Sequence, residues 1–107
     1  MGFSGSGIKY AAIAAGSSGD NTLVAAVTDK KIRVLSMLVL VPSDLVIAFE
    51  SSAGGTALTG DMELGAKRPL VLPFNPEGWF ETVAGELLNL ELAGATAVAG
   101  CFSYVEI

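Results

Sequence analysis

Turn sequences recur along this chain at intervals of about 8–12 residues, a spacing that suits an all-β sandwich or barrel. "GSSGDN", "TDKK", "PSD" and "SSAGG" separate short runs rich in aliphatic and β-branched residues. Those runs predict strands over residues 8–15, 22–27, 32–41 and 45–50. Shorter ones follow at 57–58, 62–64, 70–72 and 79–82, then longer ones at 87–92 and 96–107. Within them the apolar period is two. Leu88, Leu90 and Leu92 fall on one side and Asn89 and Glu91 on the other, as a half-buried strand requires. Leu45, Ile47 and Phe49 alternate in the same way with Val46, Ala48 and Glu50. "VAGEL" at 83–87 could open a helix, but Gly85 and the alternation after it argue against one. One domain of antiparallel strands with no substantial helix is the expected fold.

Two strands break the alternation. In 32–41, Ile32, Val34, Leu38 and Leu40 are expected on one face and Leu35, Met37, Val39 and Val41 on the other. Residues 97–105 carry no charge on either face. An antiparallel sheet commonly turns one face to water, so strands apolar on both faces need a second cover. With no helix to supply it, another copy of the chain is the expected cover. Composition agrees. Charged residues are 16% of the chain, against about 25% in a typical soluble domain. That is too few to coat a monomer.

The net charge of −5 argues against a nucleic-acid partner, which needs clustered Lys and Arg. "KKIR" at 30–33 is the densest basic group and reads as a solvated strand start. The longest apolar run, "VLSMLVLV" at 34–41, has eight residues and stops at Pro42, whereas a spanning helix needs about 20. No membrane partner and no signal peptide are expected, and synthesis in the cytoplasm follows. Cys101 is the single cysteine, so no intrachain bridge forms. In "VAGCFSYV" it reads as a small buried hydrophobe.

Candidate chemistry is sparse. The chain has no histidine, which removes Ser-His-Asp and Cys-His arrangements and most zinc sites. Carboxylates remain: Asp61 and Glu63 on one strand face, and Glu77, Glu81 and Glu86 around an aromatic cluster. They read as solvated turn-edge acids rather than a glycosidase pair. "GDN" at 19–21 and "GDMEL" at 60–64 offer oxygens without the alternating ligands of a calcium loop. Gly2, Gly5 and Gly7 follow no strand and carry no phosphate-loop lysine. The chain is expected to be no enzyme and to need no cofactor or metal.

"VLPFNPEGWF" at 71–80 holds the only tryptophan and two of the four prolines. Pro73 and Pro76 cannot donate to a sheet ladder and mark a strand end. "NPEG" fits a β-turn with Asn75 first and Gly78 last. Phe74 and Phe80 flank the turn, so both can reach one core. Trp79 packs in the core or against another subunit, meets a different protein, or holds a ligand. Upstream, "MGFSGSG" at 1–7 reads as a flexible attachment arm with Phe3 as its anchor.

The blocks "GDNTLVAAV", "KKIRVLS", "GGTALTG", "PFNPEGWF" and "GELLNLEL" resemble a group of small virion proteins of tailed bacteriophages, across residues 8–107. No catalytic motif anchors the resemblance. It implies an antiparallel jelly-roll β-sandwich of about eight strands that self-associates as a homotrimer on the particle surface. The implied role is a capsid decoration, or cement, protein bound to the phage major capsid protein, on the capsid exterior. The arm residues Gly2, Phe3, Ser4, Gly5 and Ser6 are the expected capsid contacts. Leu35, Met37, Val39, Phe74, Trp79, Phe80, Phe102 and Tyr104 are the expected core or subunit packing. The alternative is a fibre, spike or tail module that binds a host carbohydrate.

Overall fold

The computed structural model describes residues 7–107, and Gly2, Phe3, Ser4, Gly5 and Ser6 therefore lie outside the described residues. Ten strands are present among the described residues and no helix. In chain order they are β1 (Ile8–Ala15), β2 (Gly19–Val24), β3 (Ile32–Leu40), β4 (Leu45–Ser51) and β5 (Thr56–Ala57). There follow β6 (Met62–Leu64), β7 (Leu70–Leu72), β8 (Phe80–Glu81), β9 (Leu88–Leu92) and β10 (Val98–Glu106).

Every pairing is antiparallel, in two sheets. The first sheet runs β1-β10-β3-β7, with β8 also on β3. The second runs β2-β9-β4-β5, with β6 also on β4. Because β5 and β6 share one side of β4, and β7 and β8 one side of β3, the ten strands fill eight positions, four to a sheet. The chain crosses repeatedly from sheet to sheet between neighbouring positions. This is the jelly-roll arrangement.

The core lies between the sheets. Ile13, Val34, Met37, Val39, Val98 and Phe102 face it from the first sheet. Ile47, Phe49, Leu88, Leu90 and Leu92 face it from the second. Phe80 stacks on Phe49 across the gap, with ring centroids 5.1 Å apart. Two buried hydroxyls tie the segment after β8 to the sandwich. The Thr82 hydroxyl accepts the Ile32 N–H at 2.9 Å. The Ser51 hydroxyl donates to the Glu86 carboxylate at 2.6 Å and accepts the Val83 N–H at 2.9 Å. With Gly85 at φ 83°, this stretch is a turn and not a helix.

Two expectations need correction. The second strand starts three residues early, at Gly19 rather than residue 22. The Asn21 amide donates to the Ser17 carbonyl at 2.8 Å and closes the turn, so the strand begins inside "GDN". In β3 the face assignment also changes. Ser103 pairs with Ser36 and Tyr104 with Val34, which leaves Leu35 as an extra, bulged residue. The bulge shifts the phase. Ile32, Val34, Met37, Val39 and Val41 all join the core, whereas Leu38 and Leu40 point outward.

Candidate functional site

Strand register puts a charge-free surface on the outside of the first sheet. Three successive cross-strand rows build it. The lowest is Tyr10, Ser103 and Ser36, of which Ser103 is buried beneath its neighbours. The middle row is Ala12, Cys101, Leu38 and Val71. The upper row is Ala14, Ala99 and Leu40. None of these side chains is charged. Below the lowest row the surface ends at Ile8, Val105, Arg33 and Glu81. There Arg33 donates to Glu81 at 2.8 Å and Lys31 at 3.3 Å. These cations hold the Glu81 carboxyl below its ordinary range, the Arg33 hydrogen bond contributing most.

Tyr10 is 80% exposed, Val71 58%, and Leu38 and Leu40 42% each. With Phe74 and Trp79 they make six of the eight large hydrophobic side chains exposed among the described residues. Apolar area gathered on one face in this way marks interaction sites far more often than scattered residues do. A shallow groove crosses the face between Tyr10 on one side and Pro73 and Phe74 on the other. Cys101 is exposed here and not buried as expected. Its place on β10 gives it the outward parity of Ala99 and Ser103, while Phe102 takes the inward one.

The flank of the face is the segment 73–79. Residues 70–72 pair with 37–39 of β3 and residues 80–81 with 33–34, so seven residues lie opposite Leu35 and Ser36. The prolines cannot complete the ladder, and the segment loops out. It is pinned to the bulge by the Asn75 N–H on the Leu35 carbonyl at 2.9 Å and the Trp79 N–H on the Val34 carbonyl at 2.8 Å. The expected turn is present, the Gly78 N–H donating to the Asn75 carbonyl at 2.9 Å. Phe80 turns inward, but Phe74 stays 56% exposed and Trp79 44%.

The residues expected to pack thus divide. Met37, Val39 and Phe102 are in the core, and Phe80 and Tyr104 lean against it. Leu35 is buried at the bulge, outside that core cluster. Phe74 and Trp79 belong to the exposed flank.

The Trp79 indole and the side chains of Asn75 and Glu81 are already engaged. Its indole N–H donates to the Pro73 carbonyl at 2.8 Å. The Asn75 side-chain oxygen accepts the Glu77 N–H at 3.0 Å, and Glu81 holds Arg33 and Lys31. A sugar platform needs free donors and acceptors beside the ring, and these three residues supply few.

The outer face of the second sheet is the opposite in character. Asp20 lies beside Glu91, which lies beside Ala48, and Glu50 beside Asn89. Asp20, Glu50 and Glu91 bring carboxylate oxygens within 4.8 Å of one another. Asn89 is fully buried beneath them, donating to Asp20 and to Glu50, each at 2.9 Å. Glu50, then burial, then Asp20 hold the Glu91 carboxyl above its ordinary range. These three acids are the group among the described residues whose oxygens could share a cation. Sequence reading missed the grouping, since the three come from β2, β4 and β9 and only register unites them. Of the acids singled out earlier, Asp61, Glu63 and Glu77 are exposed, and Glu86 is tied to Ser51. No family model, curated protein or solved structure matches the chain.

Proposed function

We propose that this chain is a structural protein of a tailed-bacteriophage virion, a homotrimeric decoration protein on the outside of the capsid. It binds the assembled lattice of the major capsid protein and not free capsid subunits, and it stabilises the assembled state by mass action. The reading makes it a protein without catalysis, synthesised in the bacterial cytoplasm.

The observation that carries the proposal is the charge-free outer face of the first sheet, three rows deep on a chain of net charge −5. A protein that works alone in solution has no use for such a face. A protein that works in an assembly does. The jelly-roll sandwich and the five resembling sequence blocks support the same reading. The carbohydrate-binding alternative draws on the exposed Trp79 ring and is weakened by the engaged groups around it.

The test uses particles of the encoding phage, purified with and without the gene. Added protein should bind the deficient heads saturably, leave unassembled capsid subunits unbound, and raise the temperature at which heads open. Absence from the heads, together with density at a fibre or tail tip, would move the chain to the alternative.

A further inference from the structure

Resting on that oligomeric reading and deepening it, we infer that copies of this chain meet through the outer face of the first sheet, the ridge of one seated in the trough of the next. The face has two halves. On β1 and β10 its middle and upper rows are lined by Ala12, Ala14, Ala99 and Cys101, a trough of small side chains that ends at the exposed Tyr10 ring in the lowest row. On β3 and β7 it is lined by Leu38, Leu40 and Val71, a raised ridge. The complement of such a surface is another copy of the same surface, displaced so that ridge meets trough.

Charge argues for the same occupant. Two copies of a chain with net charge −5 repel wherever their acids meet. Asp20, Glu50, Glu63 and Glu91 all lie on the outer face of the second sheet. The outer face of the first sheet lets two copies touch without placing like charges together. Each copy then gives its ridge half to one neighbour and its trough half to another, a head-to-tail contact of the kind that closes into a ring when the rotation allows.

Size sets a further condition. The middle row spans four strands and the other two span three, and a head-to-tail contact gives each neighbour one half of them, on the order of 200 Å² in projection. A standard interface needs about 800 Å² per partner. The rows therefore supply the apolar centre of a contact. The adjoining 73–79 flank, with Phe74 and Trp79 exposed, supplies further area.

The test is sedimentation of the full chain at micromolar concentration, with maleimide labelling of Cys101 as a second readout. Leu38→Glu and Val71→Glu place a charge on the ridge, and Ala99→Trp fills the trough. All three positions are exposed, so the fold tolerates the changes. Glu63→Gln, on the other sheet, is the control. The wild type and the control are expected to sediment as a trimer of 10.9 kDa chains. The ridge and trough variants should fall to monomers with unchanged far-ultraviolet circular dichroism, and Cys101 should label several-fold faster in them. An oligomer that survives both ridge and trough variants overturns the contact. So does a wild type that is monomeric with a freely labelled Cys101. A dimer dissociated by the same variants keeps the contact and overturns the three-fold reading. Binding to phage heads is read separately, so loss of shell binding by an intact trimer counts against the proposed function alone.

Discussion

Gly100 shows how little room the first sheet leaves. It sits in β10 opposite Val39, at φ 156°, and a Cβ there would lie 1.9 Å from the Leu38 carbonyl oxygen. That atom is backbone in a central strand and cannot step aside. Gly100→Ala should therefore cost about 1–3 kcal/mol, the range of an overpacked site, measured by urea unfolding. A midpoint equal to wild type would show that β3 and β10 can part there. Trp79 is a different case. A fully buried large aromatic costs about 3–5 kcal/mol when cut to alanine, but Trp79 is 44% exposed. Trp79→Ala should thus destabilise the monomer less than Phe49→Ala, since Phe49 is fully buried and stacked on Phe80. Thermal unfolding of the two variants decides the order.

At the scale of elements, β3 and the segment opposite it depend on each other. The bulge at Leu35 frees the Leu35 and Val34 carbonyls to hold Asn75 and Trp79. Asn75 in turn stabilises the loop by accepting the Glu77 N–H, as Asn commonly does at the first turn position. Asn75→Ala should leave the core intact and loosen only this flank. Amide exchange would show it, with the Trp79 N–H losing protection while the Phe49 N–H keeps its own. The turn was legible in "NPEG" because its residue types carry the conformation. The bulge was not, because neither Leu35 nor Ser36 marks an extra residue, and without it the outward set in β3 is wrong. The exposure of Cys101 and the meeting of Asp20, Glu50 and Glu91 depend on register between distant strands. Spacing along the chain does not encode that register. The inward sets of β4 and β9 are as expected, since each keeps one face in the core, although Ala48 and Asn89 on the outer side are buried as well.

At the scale of the molecule, the two outer faces titrate in opposite senses. Glu91, crowded by Glu50 and Asp20, has its folded pKa raised above the ordinary glutamate value of 4.5. The folded state then holds that proton more tightly than the unfolded chain does. Its charge costs stability at neutral pH, and the cost is relieved as pH falls through the raised pKa. Glu81, held by Arg33 and Lys31, has its folded pKa lowered below 4.5. Its contribution is present above 4.5 and is lost as pH falls through the lowered value. Both groups are partly exposed, so each effect is modest and screened by salt. Acidification from neutrality should therefore first raise the melting temperature slightly and then lower it, with the maximum on the mildly acidic side. Glu91→Gln should raise stability at pH 7 and abolish the initial rise. Glu81→Gln should lower stability at pH 7 and flatten the later fall. Melting curves across the acid range for the three proteins, at low and at physiological salt, provide the check. A Glu91→Gln protein less stable than wild type at pH 7 would mean that the carboxylate cluster is held together by something stronger than its own repulsion.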